Sequence, residues 1–188
     1  MKKQKFDSKT IAAIGVMAAL VFITTKFMRI PIPVGAGKTQ IHVGNSMCIL
    51  AGLLFGPVPG GLAAGIGTAL VDLMDPRWAP EFWVSFINKF VMGFTVGAIA
   101  RIGKERTLTK DIIASIAGAA AYVALYLFKS YVQQALLGST AEATIAVLIT
   151  KGTTSAINAV IAVVVAVALY KVMAPALKRA NIFSDTLK

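Results

Sequence analysis

Three lysines, Lys89, Lys129 and Lys151, lie inside apolar segments of this 188-residue chain. An ionisable group in an apolar helix costs free energy, so it usually faces a cavity or a partner. At 1.5 Å per residue, each lysine lies about 10 Å from the same end of the bundle. Three ammonium groups at one depth favour a shared polar pocket, whose ligand would carry a carboxylate, a phosphate or another electron-rich group.

Two structural explanations stay open for each of these lysines. A lysine at this depth can extend its ammonium group to the membrane interface. Each lysine can also pair with an acid, and Asp72, at the end of the third apolar segment, is the obvious candidate partner of Lys89. Asp72 or Glu142 would then cancel part of the positive charge.

The neighbours of the three lysines recur at helical spacing. One stripe has spacings i, i+4, i+7 and i+11, a second has i, i+4 and i+7, and a third group surrounds Lys89. Aromatic rings with a few convergent polar groups suit a small planar ligand. Each tryptophan alone also fits an interfacial aromatic belt. The two stripes are Tyr122, Tyr126, Lys129 and Gln133, and Lys151, Ser155 and Asn158; the group around Lys89 is Asn88 with Trp83 and Phe86, and the second tryptophan is Trp78.

The loop at residues 29–41 is long for a membrane protein with short connections, which predicts a lid or a binding loop over the pocket. His42, at the end of this loop, is a candidate ligand contact, although a structural or solvated histidine is the competing reading. The chain has one histidine and one cysteine, Cys48. These supply too few nitrogen and sulfur ligands for a metal cluster, so we expect no metal and no disulfide.

The elements that must position these residues are transmembrane helices. The chain is 57% hydrophobic and 14% charged, against about 25% charged residues in soluble domains. Segments of about 20 apolar residues span a bilayer. We therefore predict a single domain, residues 1–188, that is an all-α integral membrane bundle of six transmembrane helices. The predicted helices are 10–28, 42–55, 58–73, 81–102, 112–137 and 143–173, of which the second and third are short.

The distribution of positive charge predicts the orientation of this bundle. Twelve of the 19 basic residues fall in the N-terminal segment, in the loop after the fourth helix and in the C-terminal segment. The positive-inside rule places all three in the cytoplasm. Residues 1–9 and 174–188 are then cytoplasmic termini, and loops 29–41, 74–80 and 138–142 face outside. The net charge of +11 thus reports membrane topology, and we expect no nucleic-acid partner.

Gly15 and Ala19 lie four residues apart on the first helix. Small residues at this spacing allow close helix approach, either inside the bundle or against a second membrane protein. Enzyme signatures are weak, since the chain has no Walker sequence and its eight acids are scattered. We predict no enzyme and no cofactor. A small membrane enzyme acting on lipid and a stand-alone carrier are the alternative functions.

Four stretches carry a resemblance that covers nearly the whole chain: Ile41-His-Val-Gly-Asn-Ser46, Leu53-Leu-Phe-Gly-Pro57, Gly65-Ile-Gly-Thr-Ala-Leu-Val-Asp-Leu73 and Ile87-Asn-Lys-Phe-Val-Met-Gly93. With them the chain resembles the substrate-binding S components of energy-coupling factor (ECF) vitamin transporters. It is most similar to the riboflavin-type branch, which includes proteins assigned to pyridoxine or hydroxymethylpyrimidine.

The resemblance implies a subunit of an ECF-type ABC importer in the plasma membrane of a prokaryote. It would capture a vitamin or precursor, of pyridoxine, hydroxymethylpyrimidine, riboflavin or pantothenate type, from outside. A transmembrane coupling protein and two cytoplasmic ATPases would supply the energy, so ATP is used by the partners alone. The small-residue motif at Gly15 and Ala19 would contact the coupling protein, with glycine where alanine is usual.

The resemblance places the ligand among the first external loop, the connection between the third and fourth helices, and the outer halves of the last three helices. The pocket inferred from the lysines falls in the same place. The candidate substrate-binding residues are therefore Lys89, Lys129, Lys151, Asn88, Tyr126, Gln133, Asn158, His42, Asn45, Asp72 and Trp83.

Overall fold

The computed structural model describes residues 7–34, 37–103 and 106–179, without the side chains of residues 33, 34, 37 and 38. Within these ranges the chain forms six α-helices and one β-hairpin, with a short 3₁₀ turn at Ala79–Glu81. The helices are α1 (Ser8–Phe27), α2 (Gly44–Phe55), α3 (Pro57–Leu73), α4 (Phe82–Ile99), α5 (Leu108–Leu136) and α6 (Ala141–Arg179), and the strands are β1 (Arg29–Val34) and β2 (Gly37–His42).

The hairpin corrects the prediction of an all-α fold. Strands β1 and β2 pair antiparallel, with Arg29 opposite His42 and Ile32 opposite Thr39. β-Branched residues alternate with other types along β1, a pattern with period two that favours an extended strand. The long loop predicted between the first two helices is therefore a folded element that lies over one end of the bundle, which we call the hairpin end.

Helix lengths divide the bundle into two groups. Four segments are long and apolar enough to cross a membrane by length and composition: α1, α4 with its preceding 3₁₀ turn, α5 and α6. Helices α2 and α3 are apolar but have 12 and 17 residues, which is shorter than a full span. The six predicted helices are therefore present among the described residues, while six full crossings and the cytoplasmic position of the termini stay predictions.

Local chemistry defines the ends of several helices. Asp7 caps α1 by accepting a hydrogen bond from the Thr10 amide at 2.9 Å, which satisfies one of the free amides of the first turn. Gly56 has a positive φ of 92°, a conformation that favours glycine. Pro57 then begins α3 at a position where its missing N–H costs nothing. The predicted break between the second and third helices thus has a clear backbone cause.

Helix α2 is the buried centre of the bundle. Its side chains Ile49, Leu50, Leu53 and Leu54 are each at most 1% exposed. A helix that is apolar on every side is expected where neighbours cover all its faces. Its short length suits this position, because α2 begins below the hairpin and ends at the sharp turn into α3.

Glycine residues bring the backbones of α1, α3 and α4 into close contact. A Cβ atom added to Gly67 of α3 would lie 2.4 Å from the carbonyl oxygen of Ala18 in α1. One added to Gly97 of α4 would lie 2.3 Å from the carbonyl carbon of Gly56. Side chains of any size are excluded at such distances, so Gly67 and Gly97 lie at close contacts inside the bundle.

Two arginines stabilise the end of the bundle opposite the hairpin. Arg101 donates hydrogen bonds to the carbonyl groups of Gly52 and Leu54 at 3.1 and 3.2 Å, and so satisfies the last turn of α2. Arg106 forms an ion pair with Asp111 at 2.8 Å and lies 4.2 Å from the ring centre of Tyr170. These two charges of the predicted basic loop therefore also hold helices together.

The contact at Gly97 gives a prediction about stability. Gly97→Ala should lower the unfolding temperature, because the new methyl group meets backbone atoms and overpacking of this kind costs about 1–3 kcal/mol. Alanine normally favours a helix over glycine by about 1 kcal/mol. Thermal unfolding of the purified protein in detergent measures the difference.

Gly152→Ala is the matched control for this prediction. A Cβ atom at Gly152 meets its nearest neighbour, Leu127, at 3.9 Å, which is ordinary van der Waals contact. The control should unfold at the same temperature as the wild type or a higher one. Equal stability of the two variants would contradict the close contact at Gly97.

Candidate substrate-binding site

A cavity lies between the hairpin and the helix ends that it covers. Its volume is about 50 Å³, which exceeds the roughly 10–15 Å³ that one water molecule needs. A vitamin-sized ligand would therefore require the lining side chains to move apart. Strand β2 contributes Thr39, Gln40 and His42 to the lining; helices α1 and α3 contribute Thr25, Thr68 and Asp72; and α4 and α5 contribute Ser85, Asn88, Lys89, Tyr122, Tyr126 and Lys129. Trp78, Ser155 and Asn158 complete it.

Lys89 is the buried positive charge of this cavity. Its side chain is 4% exposed and donates a hydrogen bond to Oδ1 of Asn45. Its ammonium nitrogen lies 3.4 Å from the ring centre of Tyr122, a cation–π contact that gains strength when water is excluded. The ammonium group has three donors, and these partners from α2 and α5 orient it while it lines the cavity.

Lys129 is held differently, by an acid that the sequence analysis did not select. It forms an ion pair with Glu81, and Gln133 donates a hydrogen bond to the other carboxylate oxygen of Glu81 at 2.6 Å. Glu81 therefore clamps two residues of α5. The charges of Lys89 and Lys129 also act on Asp72, although none of the described ion pairs includes Asp72. Lys129 lines the cavity, whereas Gln133 does not.

Lys151 is buried outside the cavity lining. Its ammonium group donates to the hydroxyl of Ser130 at 3.1 Å and lies 5.5 Å from the ring centre of Tyr126. Tyr126 itself lines the cavity, so Lys151 lies behind a ring of the cavity wall. The three lysines thus lie at one end of the bundle, but the structure brings only two of them to the cavity surface.

Aromatic side chains form one wall of the cavity. Tyr122 and Tyr126 stack with ring centres 5.9 Å apart and planes 14° apart, and Trp78 lines the cavity from the connection before α4. Trp83 is 57% exposed and does not line the cavity. Of the two tryptophans, Trp78 therefore lies at the pocket and Trp83 lies on the outer surface.

Asn158 attaches the hairpin to α6. Its Oδ1 accepts a hydrogen bond from the backbone amide of His42 at 3.0 Å, and its Nδ2 donates to the carbonyl of Gln40 at 2.8 Å. Tyr126 adds a hydroxyl contact to Thr39 at 3.4 Å. One asparagine therefore satisfies two main-chain groups of β2, and the hairpin closes the cavity through these bonds.

The hairpin is also anchored at its first residue. Arg29 forms an ion pair with Asp75 at 2.9 Å, and Arg77 pairs with the same carboxylate at 2.8 Å. The hydrogen bonds from Arg77, followed by those from Arg29, hold the pKa of Asp75 well below its usual range. Burial, reinforced by the charges of Lys89 and Arg29, lowers the pKa of His42 to about 3, so its imidazole is neutral.

The cavity brings together most of the predicted site residues and leaves four outside its lining. His42, Asp72, Asn88, Lys89, Tyr126, Lys129 and Asn158 line it, whereas Asn45, Gln133, Lys151 and Trp83 do not. Of these four, Asn45 supports Lys89 and Gln133 supports the Glu81 clamp. Among the residues described, no cluster of histidine, cysteine and acids suits a metal ion.

Several lining residues were missed as site candidates: Thr25, Thr39, Gln40, Thr68, Trp78 and Ser85. Isolated threonines and serines carry little signal, because their hydroxyl groups are common on helices and turns. Thr68 and Asp72 do lie at i and i+4 on α3, so their helical spacing is a signal that could have identified the part of the cavity lining on α3.

The geometry defines a helical membrane bundle with a polar and aromatic cavity closed by a hairpin. The family model described as "ECF-type riboflavin transporter, S component" matches residues 5–175. The chain therefore belongs to this family of ECF transporter S components, which is a family of transporter components and not an enzyme class.

Curated relatives share part of this sequence. A UPF0397 protein of Lactiplantibacillus plantarum is 36% identical over 95 residues, which are 50% of this chain and 49% of the relative. An uncharacterized protein of Pyrococcus woesei is 32% identical over 123 residues, 65% of this chain and 78% of that protein. The match thus spans about half the length of the UPF0397 relative.

A solved structure has the same fold. It is described as the S component of a bacterial ECF transporter, and it superposes with a TM-score of 0.65 at 24% sequence identity. The superposition covers 90% of this chain and 98% of that one. The resemblance deduced from the four sequence stretches is therefore confirmed: the family model places the chain among the ECF transporter S components, and the chain shares the fold of a solved S component.

The attachment of the hairpin gives a testable prediction. Asn158→Leu removes both side-chain bonds to β2, and each such bond contributes about 0.5–1.5 kcal/mol. The amide of His42 should then exchange its hydrogen about tenfold faster or more. Hydrogen exchange with mass spectrometry, on peptides that cover β2, measures this rate.

Asn88→Leu is the control, because Asn88 lines the same cavity from α4 and its replacement leaves the two bonds of Asn158 in place. Its β2 peptides should exchange at the wild-type rate. If both variants exchange equally, the hairpin is held by something other than Asn158.

Proposed function

We propose that this chain is the high-affinity binding subunit for a small water-soluble vitamin or vitamin precursor. In this proposal it captures the compound from outside and releases it inside the cell. The pyridoxine or hydroxymethylpyrimidine, riboflavin and pantothenate classes are the candidate ligands. The protein works with a transmembrane coupling protein and two cytoplasmic ATPases in the plasma membrane of a prokaryote.

The observation that carries this proposal is the cavity around Lys89. The cavity combines one buried ammonium group with the stacked Tyr122 and Tyr126 and with polar side chains from the hairpin. Small-molecule sites in proteins pair apolar and aromatic walls with a few precisely directed polar groups. The hairpin, fixed by Asn158 and by Asp75, is placed to cover a ligand after entry.

The direction of transport follows from the charge distribution. Under the positive-inside rule, the basic end of the bundle at Arg101 and Arg106 faces the cytoplasm. The hairpin and its cavity lie at the opposite end, which supports capture from the external side. The partners supply ATP hydrolysis, because no Walker sequence is present in this chain.

The binding proposal predicts a specific effect at Lys89. Lys89→Met should weaken binding of the vitamin by more than tenfold, because a charge-assisted hydrogen bond contributes about 1.5–3 kcal/mol. Lys129→Met should have a smaller effect, since Glu81 already occupies that ammonium group. Native mass spectrometry of the purified protein identifies the co-purified compound, and calorimetric titration with it measures the affinity.

Lys171→Met is the matched control, because Lys171 is an exposed lysine of α6 outside the cavity lining. The control should bind with wild-type affinity. Unchanged affinity in the Lys89, Lys129 and Lys151 variants alike would overturn the assignment of the cavity as the binding site.

The partner proposal concerns the outer face of α1. Gly15 and Ala19 are both exposed, and a Cβ atom at Gly15 meets no neighbour within 4 Å. Gly15→Leu with Ala19→Leu should therefore leave vitamin binding unchanged but abolish ATP-dependent uptake, because bulk prevents close helix approach to the coupling protein. Uptake into vesicles that contain all four proteins measures this effect.

A pair of substitutions to leucine on another exposed helix face is the control. Val160→Leu with Val164→Leu changes two exposed residues of α6 that are also four apart, and uptake should persist. Loss of uptake in both variants, or in neither, would contradict docking through α1.

A further inference from the structure

We propose that the wall of the cavity formed by α1, α3 and β2 is a subsite for an N–H donor. In this subsite, Asp72 binds an amino or ring N–H group of a planar heteroaromatic ligand, with Thr25 and His42 beside it. This inference rests on the proposed function, and it narrows the ligand class at the same site.

Unpartnered polar atoms mark this wall. Oδ2 of Asp72, Oγ1 of Thr25 and Nδ1 of His42 are buried, and none has a hydrogen-bond partner in the part of the chain that the structure describes. The three residues are 6%, 3% and 6% exposed, and all three line the cavity. A buried polar atom without a partner costs about 1–3 kcal/mol, so a ligand that supplies the partners gains this free energy.

Two of these residues, Thr25 and His42, converge because of a glycine. A Cβ atom at Gly44 would lie 1.9 Å from Oγ1 of Thr25 and 3.0 Å from Nδ1 of His42. The bare backbone of Gly44 therefore lets the hydroxyl and the imidazole approach the same point. Asp72 lines the same cavity from α3, which packs against α1 through Gly67.

The chemistry of Asp72 selects the ligand group. An ionised carboxylate only accepts hydrogen bonds, and a buried one requires donors or a cation. The Ser85 hydroxyl and the positive charges of Lys89 and Lys129 act on this group, but among the described ion pairs none includes Asp72, and Oδ2 has no hydrogen-bond partner in the described part of the chain. A ligand that brings a donor to Oδ2 would complete the partners of this carboxylate. An N–H group does so, whereas a carboxylate or a phosphate would be repelled.

The opposite wall restricts the shape of the ligand. Tyr122 and Tyr126 present stacked rings, and Trp78 lines the same cavity. Aromatic walls favour flat rings, while Lys89 supplies a donor for a ring nitrogen or an oxygen. The site thus suits a flat ring with an acceptor towards Lys89 and an N–H donor towards Asp72. Pantothenate, which has no ring, does not match this pattern.

The test compares ligands that differ by one N–H donor. The probes are 4-amino-5-hydroxymethyl-2-methylpyrimidine with its 4-dimethylamino analogue, and riboflavin with 3-methylriboflavin. The wild type should bind the N–H member of one pair at least about tenfold more tightly. In Asp72→Leu this ratio should fall below about threefold, because a purely steric effect of the methyl groups would persist in the variant. Calorimetric titration in detergent measures all the affinities.

Thr25→Val provides a second measurement, which decides the result if Asp72→Leu does not fold. It removes one hydroxyl at nearly constant volume, and the ratio should fall about threefold. Thr24→Val is the matched control, because the Thr24 hydroxyl bonds to the Leu20 carbonyl of its own helix at 2.8 Å. That control should keep the wild-type ratio.

The outcomes separate this inference from the proposed function. A wild type that binds pyridoxine or pantothenate, but shows no preference within either probe pair, overturns the N–H subsite and leaves the proposed function intact. A preference that survives in both Asp72→Leu and Thr25→Val also overturns the subsite. A wild type that binds no member of the vitamin panel overturns both proposals.

Discussion

A buried ammonium group requires partners, and at the hairpin end of this bundle neighbouring helices supply them to Lys89. An unpaired charge in an apolar interior costs several kcal/mol. Lys89 donates a hydrogen bond to Oδ1 of Asn45 at the start of α2 and lies against the ring face of Tyr122 on α5. Helix α2 is short and begins only at Gly44, so that Asn45 in its first turn lies at the depth of the ammonium group.

The sequence predicted those features that recur along a single helix. Of the stripe Tyr122, Tyr126, Lys129 and Gln133, the first three line the cavity and Gln133 does not. The break at Gly56 was equally visible, because glycine followed by proline ends one helix and begins another. The helix bounds differ from the predictions mainly at the ends, as where α6 continues through Pro175 to Arg179.

Features that depend on distant pairing were not predictable in the same way. Glu81 pairs with Lys129 across 48 residues of sequence, and no local pattern distinguishes it from the other acids. The prolines and glycines of residues 29–41 predict a loop, because these residues are disfavoured inside strands, whereas the structure pairs β1 with β2 there. The different positions of Trp78 and Trp83 were not predictable from the local sequence either. They are five residues apart, and only the turn at Ala79–Glu81 decides that Trp78 reaches the cavity.

Helix α1 connects the two surfaces on which the proposed function depends. Thr25 lines the cavity, and the exposed Gly15 and Ala19 lie on the same helix, the former about 15 Å further along its axis. The close approach of Gly67 to the Ala18 carbonyl fixes α3, which carries Asp72, against α1. The wall of the cavity formed by Thr25 and Asp72 is therefore built on the same pair of closely packed helices as the exposed α1 face, whereas the aromatic wall is built on α5.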